Sequence, residues 1–131
     1  MKCLSLRPVW AWAVIFGGKT IENRTWKTDY RGPLAIHASG SMQGAYDAAA
    51  EVTRICGTEV PCTLDCGAVI GVVDLADCLD AAAPLKRADA RWASRGCYHW
   101  VLRNPRPCRP FDVKGKLRLW DIPRARIKLT S

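Results

Sequence analysis

Within the eight residues Gly17-Gly18-Lys19-Thr20-Ile21-Glu22-Asn23-Arg24 the chain sets a glycine corner, an ammonium, a carboxylate and a guanidinium, and Trp26 follows two positions later. On a strand leaving that corner, side chains alternate between faces, so Glu22, Arg24 and Trp26 share one face while Ile21 and Asn23 point the other way. Such a set can do two kinds of chemistry. Lys19 and Glu22 form an acid/base pair if the lysine gives up its proton near neutral pH, with Arg24 stabilising a developing oxyanion or phosphorane. The same groups bind rather than react if Lys19 and Arg24 take phosphates and an aromatic ring takes a base. The plainer reading of Glu22 and Arg24 is an ion pair on a solvated strand face.

The elements that position this stretch follow from the apolar pattern. Lys2 to Leu6 reads as an opening strand, and Arg7-Pro8 starts a helix with proline at its first turn, where a missing N–H costs nothing. Val9 to Phe16 is apolar nearly all round, which predicts a buried helix closed by Gly17-Gly18, with at least one of Trp10 and Trp12 in the core. Thr20–Thr25 and Leu34–Ala38 read as strands, and Ser39-Gly40-Ser41 as the N-cap region of an amphipathic helix running from Met42 to Cys56. Ala68 to Leu79 is the longest strand, and the two-faced apolar run at its start predicts a central place in the sheet. A short helix or helix-like loop over 84–94, an alternating strand over 98–103 and a last strand over 117–122 complete the pattern. Pro105, Pro107 and Pro110 predict an extended segment that is not an interior strand, and the basic tail is expected to be loosely held. The sum is an α+β domain: five to seven short, mostly antiparallel or mixed strands curled into a small barrel with two or more flanking helices.

A chain of 131 residues fits one domain over 1–131 with a real core. Its longest apolar run is about half of a membrane span, so no membrane partner and a cytoplasmic location are expected. The charge is uneven. Residues 1–94 carry ten Lys/Arg against ten Asp/Glu, whereas residues 95–131 carry ten Lys/Arg against Asp112 and Asp121 alone, so the whole excess of +8 lies in the last third. A folded basic surface of this kind favours polyanions, nucleic acid first among them, although solubility charge is the plainer account. Seven cysteines without a signal segment point to free thiols rather than disulfides. Cys56, Cys62 and Cys66 cluster near a loop, but no Cys-x-x-Cys pair is present and the spacing fits no common zinc pattern, so no metal and no cofactor are expected.

Four blocks make the chain recognisable. Gly17-x-Lys19-x-x-Glu22-x-Arg24 matches the G-x-K-x-x-E-x-R motif of the ASCH (activating signal cointegrator-1 homology) domain. Upstream, Leu4-Ser5-Leu6-Arg7 and Trp10-Ala11-Trp12-Ala13 lie at the spacing seen in a bacterial group whose strand reads S-I-R-Q-P-W-A-W. Tyr30-Arg31-Gly32-Pro33-Leu34-Ala35-Ile36-His37-Ala38-Ser39 stands where those proteins have R-G-x-L-x-I-H-A, and Val69–Leu75 and Tyr98–Leu102 look like the later strands. The chain thus resembles a small stand-alone ASCH member of bacterial or phage type over essentially its whole length. The resemblance implies a PUA-like barrel, a cleft near the motif, and roles in RNA or DNA binding. Some short members are amidohydrolases acting on N4-acetylcytidine, and others are credited with nuclease activity. Two departures stand out: Pro8-Val9 replaces the usual Gln-Pro, and Glu22 stands where the amidohydrolases carry a threonine nucleophile, which a carboxylate cannot replace without a change of mechanism.

The first expectation is therefore a nucleic-acid-binding domain, RNA favoured over DNA, with a cleft for an unpaired or modified base or nucleoside. Its candidate contacts are Arg7, Lys19, Arg24, Arg31 and Arg103 for phosphates, Ser39 beside them, and Trp10, Trp26 or Trp100 for stacking. The alternative is a hydrolase of RNA or modified nucleosides, with Lys19, Glu22 and Arg24 as its catalytic residues. A protein-interaction module is the third class, distinguished by weak salt dependence.

Overall fold

A computed structural model describes residues 1–130. The elements in chain order are β1 (Lys2–Leu6), α1 (Pro8–Phe16), β2 (Ile21–Arg24), β3 (Gly32–Ala38), α2 (Ala45–Cys56), β4 (Ala68–Leu79), α3 (Arg87–Ala90), β5 (Tyr98–Asp112) and β6 (Leu119–Asp121). The strands form one six-stranded sheet in the order β2-β5-β4-β3-β1-β6. Only β1 and β3 run parallel; every other pairing is antiparallel. The sheet is a curled half-barrel, the α+β form expected from the sequence. Its curl has local causes: β3 and β4 shift register at Ile36/His37, and β4 and β5 shift three times between Val69 and Asp77. Each shift inserts an unpaired residue that increases the local twist.

The apolar run Val69–Val73 lies in β4, a central strand, and is buried throughout, because helix α1 covers one face and the C-terminal segment the other. Helix α1 starts at Pro8 and ends at Gly17, as its sequence predicts, and buries Val9, Ala11, Ala13, Val14 and Ile15. Val14 and Ile15 pack with Leu4, Leu34, Ile36 and Trp100 on the concave side of the sheet. Val9 and Ala13 pack with Ile21, Val101, Trp92 and Val52 of α2. A third cluster on the convex side joins Cys3, Ala35, Val69 and Cys108 to Trp120 and Ile122. Glycine at position 71 is what lets α1 approach, since a Cβ there would lie 2.7 Å from Ile15 Cδ1 and 2.7 Å from the Arg106 carbonyl oxygen.

The proline segment is extended, as expected, and forms the long half of strand β5: it pairs with β4 through Pro107 and Arg106, while on its other side β2 reaches only residues 98–101 and the tail meets it through a single bridge, Cys108–Leu129. Two expectations are corrected. The tail through Thr130 is not loose, for Arg109 N donates to the Lys128 carbonyl, Thr130 N to that of Pro107, and the Arg126 guanidinium stands 4.3 Å from the Phe111 ring centroid. Helix α2 begins later than its periodicity suggests, at Ala45 after a left-handed Gly44, rather than at the Ser39-Gly40-Ser41 turn. No helix among the described residues is long and apolar enough to cross a membrane.

The short α3 is held by one carboxylate. Asp89 accepts from Thr20 Oγ1 at 2.6 Å and takes Arg103 in a two-pronged pair at 3.1 and 2.9 Å, tying α3 to β5 and to the residue before β2. Burial works against its charge, but Arg103 and the Thr20 hydroxyl more than offset that and hold its carboxyl below the ordinary value of 3.8.

Two predictions follow from these contacts. Gly71→Ala should lower the stability by about 1–3 kcal/mol, because backbone as well as side chain must move. Gly40→Ala, whose Cβ meets nothing within 4 Å, should leave the thermal melt unchanged. Asp89→Asn should cost about 1–2 kcal/mol near neutral pH, the low end because Arg103 keeps partial contact with solvent. A carboxyl with a depressed folded pKa stabilises above its unfolded value, so the wild-type advantage should be full above pH 4 and shrink as pH falls below 3.8, which urea titrations at several pH values would read.

Candidate nucleotide-binding cleft

The chain leaves α1 through Gly18, whose left-handed φ of +75° turns it sharply, and the Ala13 carbonyl receives the N–H groups of both Gly17 and Lys19. That turn drops Lys19 under the helix end, where it is 4% exposed. A buried ammonium needs partners. Lys19 Nζ donates to the Ile21 carbonyl and to Glu22 Oε1, the latter at 3.1 Å, and lies 5.5 Å from the Trp10 ring centroid. Glu22, 7% exposed, accepts from Arg24 Nε through its other oxygen at 2.9 Å. The carboxylate is thus held between two cations, one buried and one reaching outward.

Arg24 spans further than its strand. It lies on β2, the first strand of the sheet, yet its Nη2 donates at 3.0 Å to the carbonyl of Ser5 on β1, the fifth. That carbonyl is free because β6 stops short. The β1–β6 register runs Lys2–Asp121, Cys3–Trp120, Leu4–Leu119, and the next partner, Arg118, is left-handed with φ of 57° and leaves the ladder. Arg24 therefore bridges the open side of the half-barrel.

Around this bridge lies a cleft of about 560 Å³, bordered by Ser5, Arg7, Trp10, Lys19, Glu22, Asn23, Arg24 and Ser39 on one side and by Glu51, Ile55 and Arg91–Ser94 on the other. The volume falls in the range of small-ligand pockets. The Asn23 side chain assembles the far wall: its amide donates to the Trp92 carbonyl at 3.0 Å and accepts from Ser94 N at 2.8 Å. Four cations face two carboxylates, Glu22 and Glu51. Glu22 is already shared by Lys19 and Arg24, while Arg7 donates to the Gln43 carbonyl at 3.3 Å and Arg91 to those of Ala88 and Ile55 at 3.2 and 3.4 Å. Neither Arg7 nor Arg91 has a carboxylate partner among the described residues. Two cleft residues also hold buried polar atoms that no protein group uses, Ser39 Oγ and Trp92 Nε1.

The structure thus brings six of the sequence candidates to one cleft: Arg7, Trp10, Lys19, Glu22, Arg24 and Ser39. It takes four others elsewhere. Trp100 is 0% exposed, donating from Nε1 to the Trp26 carbonyl, and has no ring face left for a base. Trp26 meets Trp100 edge to face at 4.7 Å, carries the Arg118 guanidinium at 4.6 Å, and is not part of the cleft lining. Arg31 faces Asp77 and the carbonyls of Thr28 and Tyr30, and Arg103 is neutralised by Asp89. Sequence reasoning missed Arg91, Trp92 and the clamp role of Asn23, since a contact spanning 69 residues leaves no periodic trace.

The sequence pattern of the ASCH domain matches residues 4–111. Over 127 residues the chain is 31% identical to activating signal cointegrator 1 of Mus musculus and 30% identical to that of Homo sapiens, in each case across 92% of this chain. It spans 22% of the length of these relatives. The chain belongs to the ASCH-domain family, a family associated with RNA binding.

Proposed function

We propose that the cleft binds one unpaired nucleotide of an RNA strand. The observation that carries this reading is the pair of cations without carboxylate partners, Arg7 and Arg91, in the lining of a cavity whose two carboxylates have other cations beside them, Glu22 with Lys19 and Arg24 and Glu51 with Arg54 at 4.0 Å. An anion is the group that completes such a site, and arginine suits phosphate because its planar fork makes two parallel hydrogen bonds. Trp10, partly buried on the cleft wall, offers an aromatic surface for the base, a contact worth about 1–3 kcal/mol. Ser39 Oγ adds unused hydrogen-bonding capacity suited to a sugar hydroxyl or base edge.

Hydrolysis has less support from the same geometry. Lys19 would have to release Glu22 or the Ile21 carbonyl before it could take a proton, and both Glu22 oxygens are engaged by cations. Glu22 and its two partners act first as the support of the cleft.

Fluorescence anisotropy with a labelled single-stranded RNA should show binding in the micromolar range that weakens steeply with salt. Arg7→Ser and Arg91→Ser should each weaken it about tenfold, the loss of one charge-assisted contact. Absence of wild-type binding at low salt would overturn the proposal. Glu22→Gln should act on the fold: it leaves buried Lys19 without its counter-charge, so the melt should fall, by about 2–4 kcal/mol. An unchanged melt with lost RNA binding would instead make Glu22 a direct ligand contact.

A further inference from the structure

The loop joining β5 to β6, residues 113–118, carries Lys114, Lys116 and Arg118, all exposed, with Leu117 at 92% exposure between the last two. None of the three cations has a carboxylate partner among the described residues. A basic loop that waved freely would count only as surface charge, but this one is fastened at three points. Val113 N donates to the Gly67 carbonyl at 3.0 Å, and the Val113 carbonyl accepts from His37 Nε2 at 2.7 Å. That contact makes His37 Nδ1 the acceptor for the Ser5 hydroxyl, 3.0 Å away. Gly115 is seated on the same pair so closely that a Cβ would lie 2.7 Å from both Ser5 Oγ and His37 Cε1. At the far end Arg118 adopts a left-handed conformation that few non-glycine residues take, and its guanidinium stands over the Trp26 ring.

These fastenings put the loop beside the cleft. Ser5 borders the cleft, gives its carbonyl to Arg24, and supports Gly115 with its hydroxyl. Trp26 lies two residues beyond Arg24. Lys114, Lys116 and Arg118 thus lie on a loop packed against Ser5, the same residue that borders the cleft and receives Arg24.

We infer that the 113–118 loop is a second phosphate-binding element, which grips the RNA strand on the nucleotides adjoining the one held in the cleft. The inference rests on the cleft reading proposed above and extends it from a single nucleotide to a strand. Arg118, stacked on Trp26, presents its N–H edge to a phosphate, Lys114 and Lys116 add point charges, and Leu117 offers an apolar contact to a sugar or base. The left-handed backbone at Arg118 and the packing of Gly115 fix the loop before the ligand arrives, so little ordering is required on binding.

The test compares two probes, a labelled 12-nucleotide single-stranded RNA and a labelled mononucleotide, across a salt series. Lys114→Ser/Lys116→Ser changes no packed side chain, and adding Arg118→Asn keeps a residue that tolerates the left-handed backbone. Each phosphate contact to a single strand contributes about 0.7 to the slope of log K against log salt, so the triple variant should lower the slope by about 2. Its affinity for the 12-mer should fall at least tenfold, and mononucleotide binding should not change. A charge-matched control, Arg109→Ser/Arg124→Ser/Lys128→Ser, removes three exposed cations from the opposite part of the C-terminal third and should leave the slope within experimental error. A loop variant with the wild-type slope, or a control that lowers it equally, would overturn the inference. If Arg7→Ser/Arg91→Ser leaves both probes bound as in wild type while the loop variant loses the 12-mer, the cleft reading falls and the loop assignment stands.

Discussion

One buried carboxylate decides how this half-barrel closes. A six-stranded sheet this strongly curled brings its first strand near its fifth without enough hydrogen bonds to complete the circle. Glu22 supplies the missing connection indirectly: it fixes Arg24, and Arg24 reaches the Ser5 carbonyl across the seam. Removing a carboxylate from water is costly, and only good geometry and full pairing offset that cost. Both conditions are met, with one oxygen on Lys19 at 3.1 Å and the other on Arg24 at 2.9 Å. Lys19 in turn is nearly as buried as any core residue and pairs with no other carboxylate among the described residues. Glu22 is therefore the member on which the other two depend: losing it leaves buried Lys19 without a counter-charge, whereas losing either cation leaves Glu22 paired with the other.

The triad keeps one positive charge of its own, and Arg7 and Arg91 add two more cations against Glu51 in the same lining. Arg7 arrives at the N-terminus of α1 and Arg91 just after α3, so the two arginines are 84 positions apart in sequence, and Asn23 holds the segment that follows Arg91 by clamping 92–94. The cleft is thus a consequence of closure. The seam supplies the floor, the helix ends supply the walls, and the cations that remain unpaired are those on the walls.

Three strands are readable in the chain, though not the order in which they pair, because β1, β3 and β4 are coded by local pattern: a short apolar opening in Lys2–Leu6, a compact apolar run in Leu34–Ala38, and a two-faced apolar run in Val69–Val73. Helix α1 was readable from Pro8 and the Gly17-Gly18 stop for the same reason. Three prolines mark an extended segment that is not an interior strand, and β5 accepts them in the half that β2 does not flank. Composition without context misleads at Trp26 and Trp100: each offers a ring for a base, yet packing edge to face against each other and beneath Arg118 uses both. The ion triad was visible as charges on a strand, but its burial was not, since burial depends on how tightly the chain turns at Gly18. Arg91 and Trp92 had no local marker at all, because their place follows from the long-range Asn23 clamp.

The motif that identifies the family therefore does not divide into scaffold and site in the way its residue types suggest. Lysine, glutamate and arginine look like reactive or ligand-facing groups, yet Lys19 has a 3% exposed side chain with a backbone carbonyl and a carboxylate as its hydrogen-bond acceptors. A lysine fits that space because its ammonium is compact, whereas a planar guanidinium with five donors would need acceptors the pocket does not supply. Position 24 has the opposite requirement. It must meet Glu22 and the Ser5 carbonyl at once with two different nitrogens, which a single ammonium at the end of a flexible stem cannot do with the same geometry. The spacing G-x-K-x-x-E-x-R is thus explained at its lysine, glutamate and arginine as the pattern that ties the first strand of the half-barrel to the fifth.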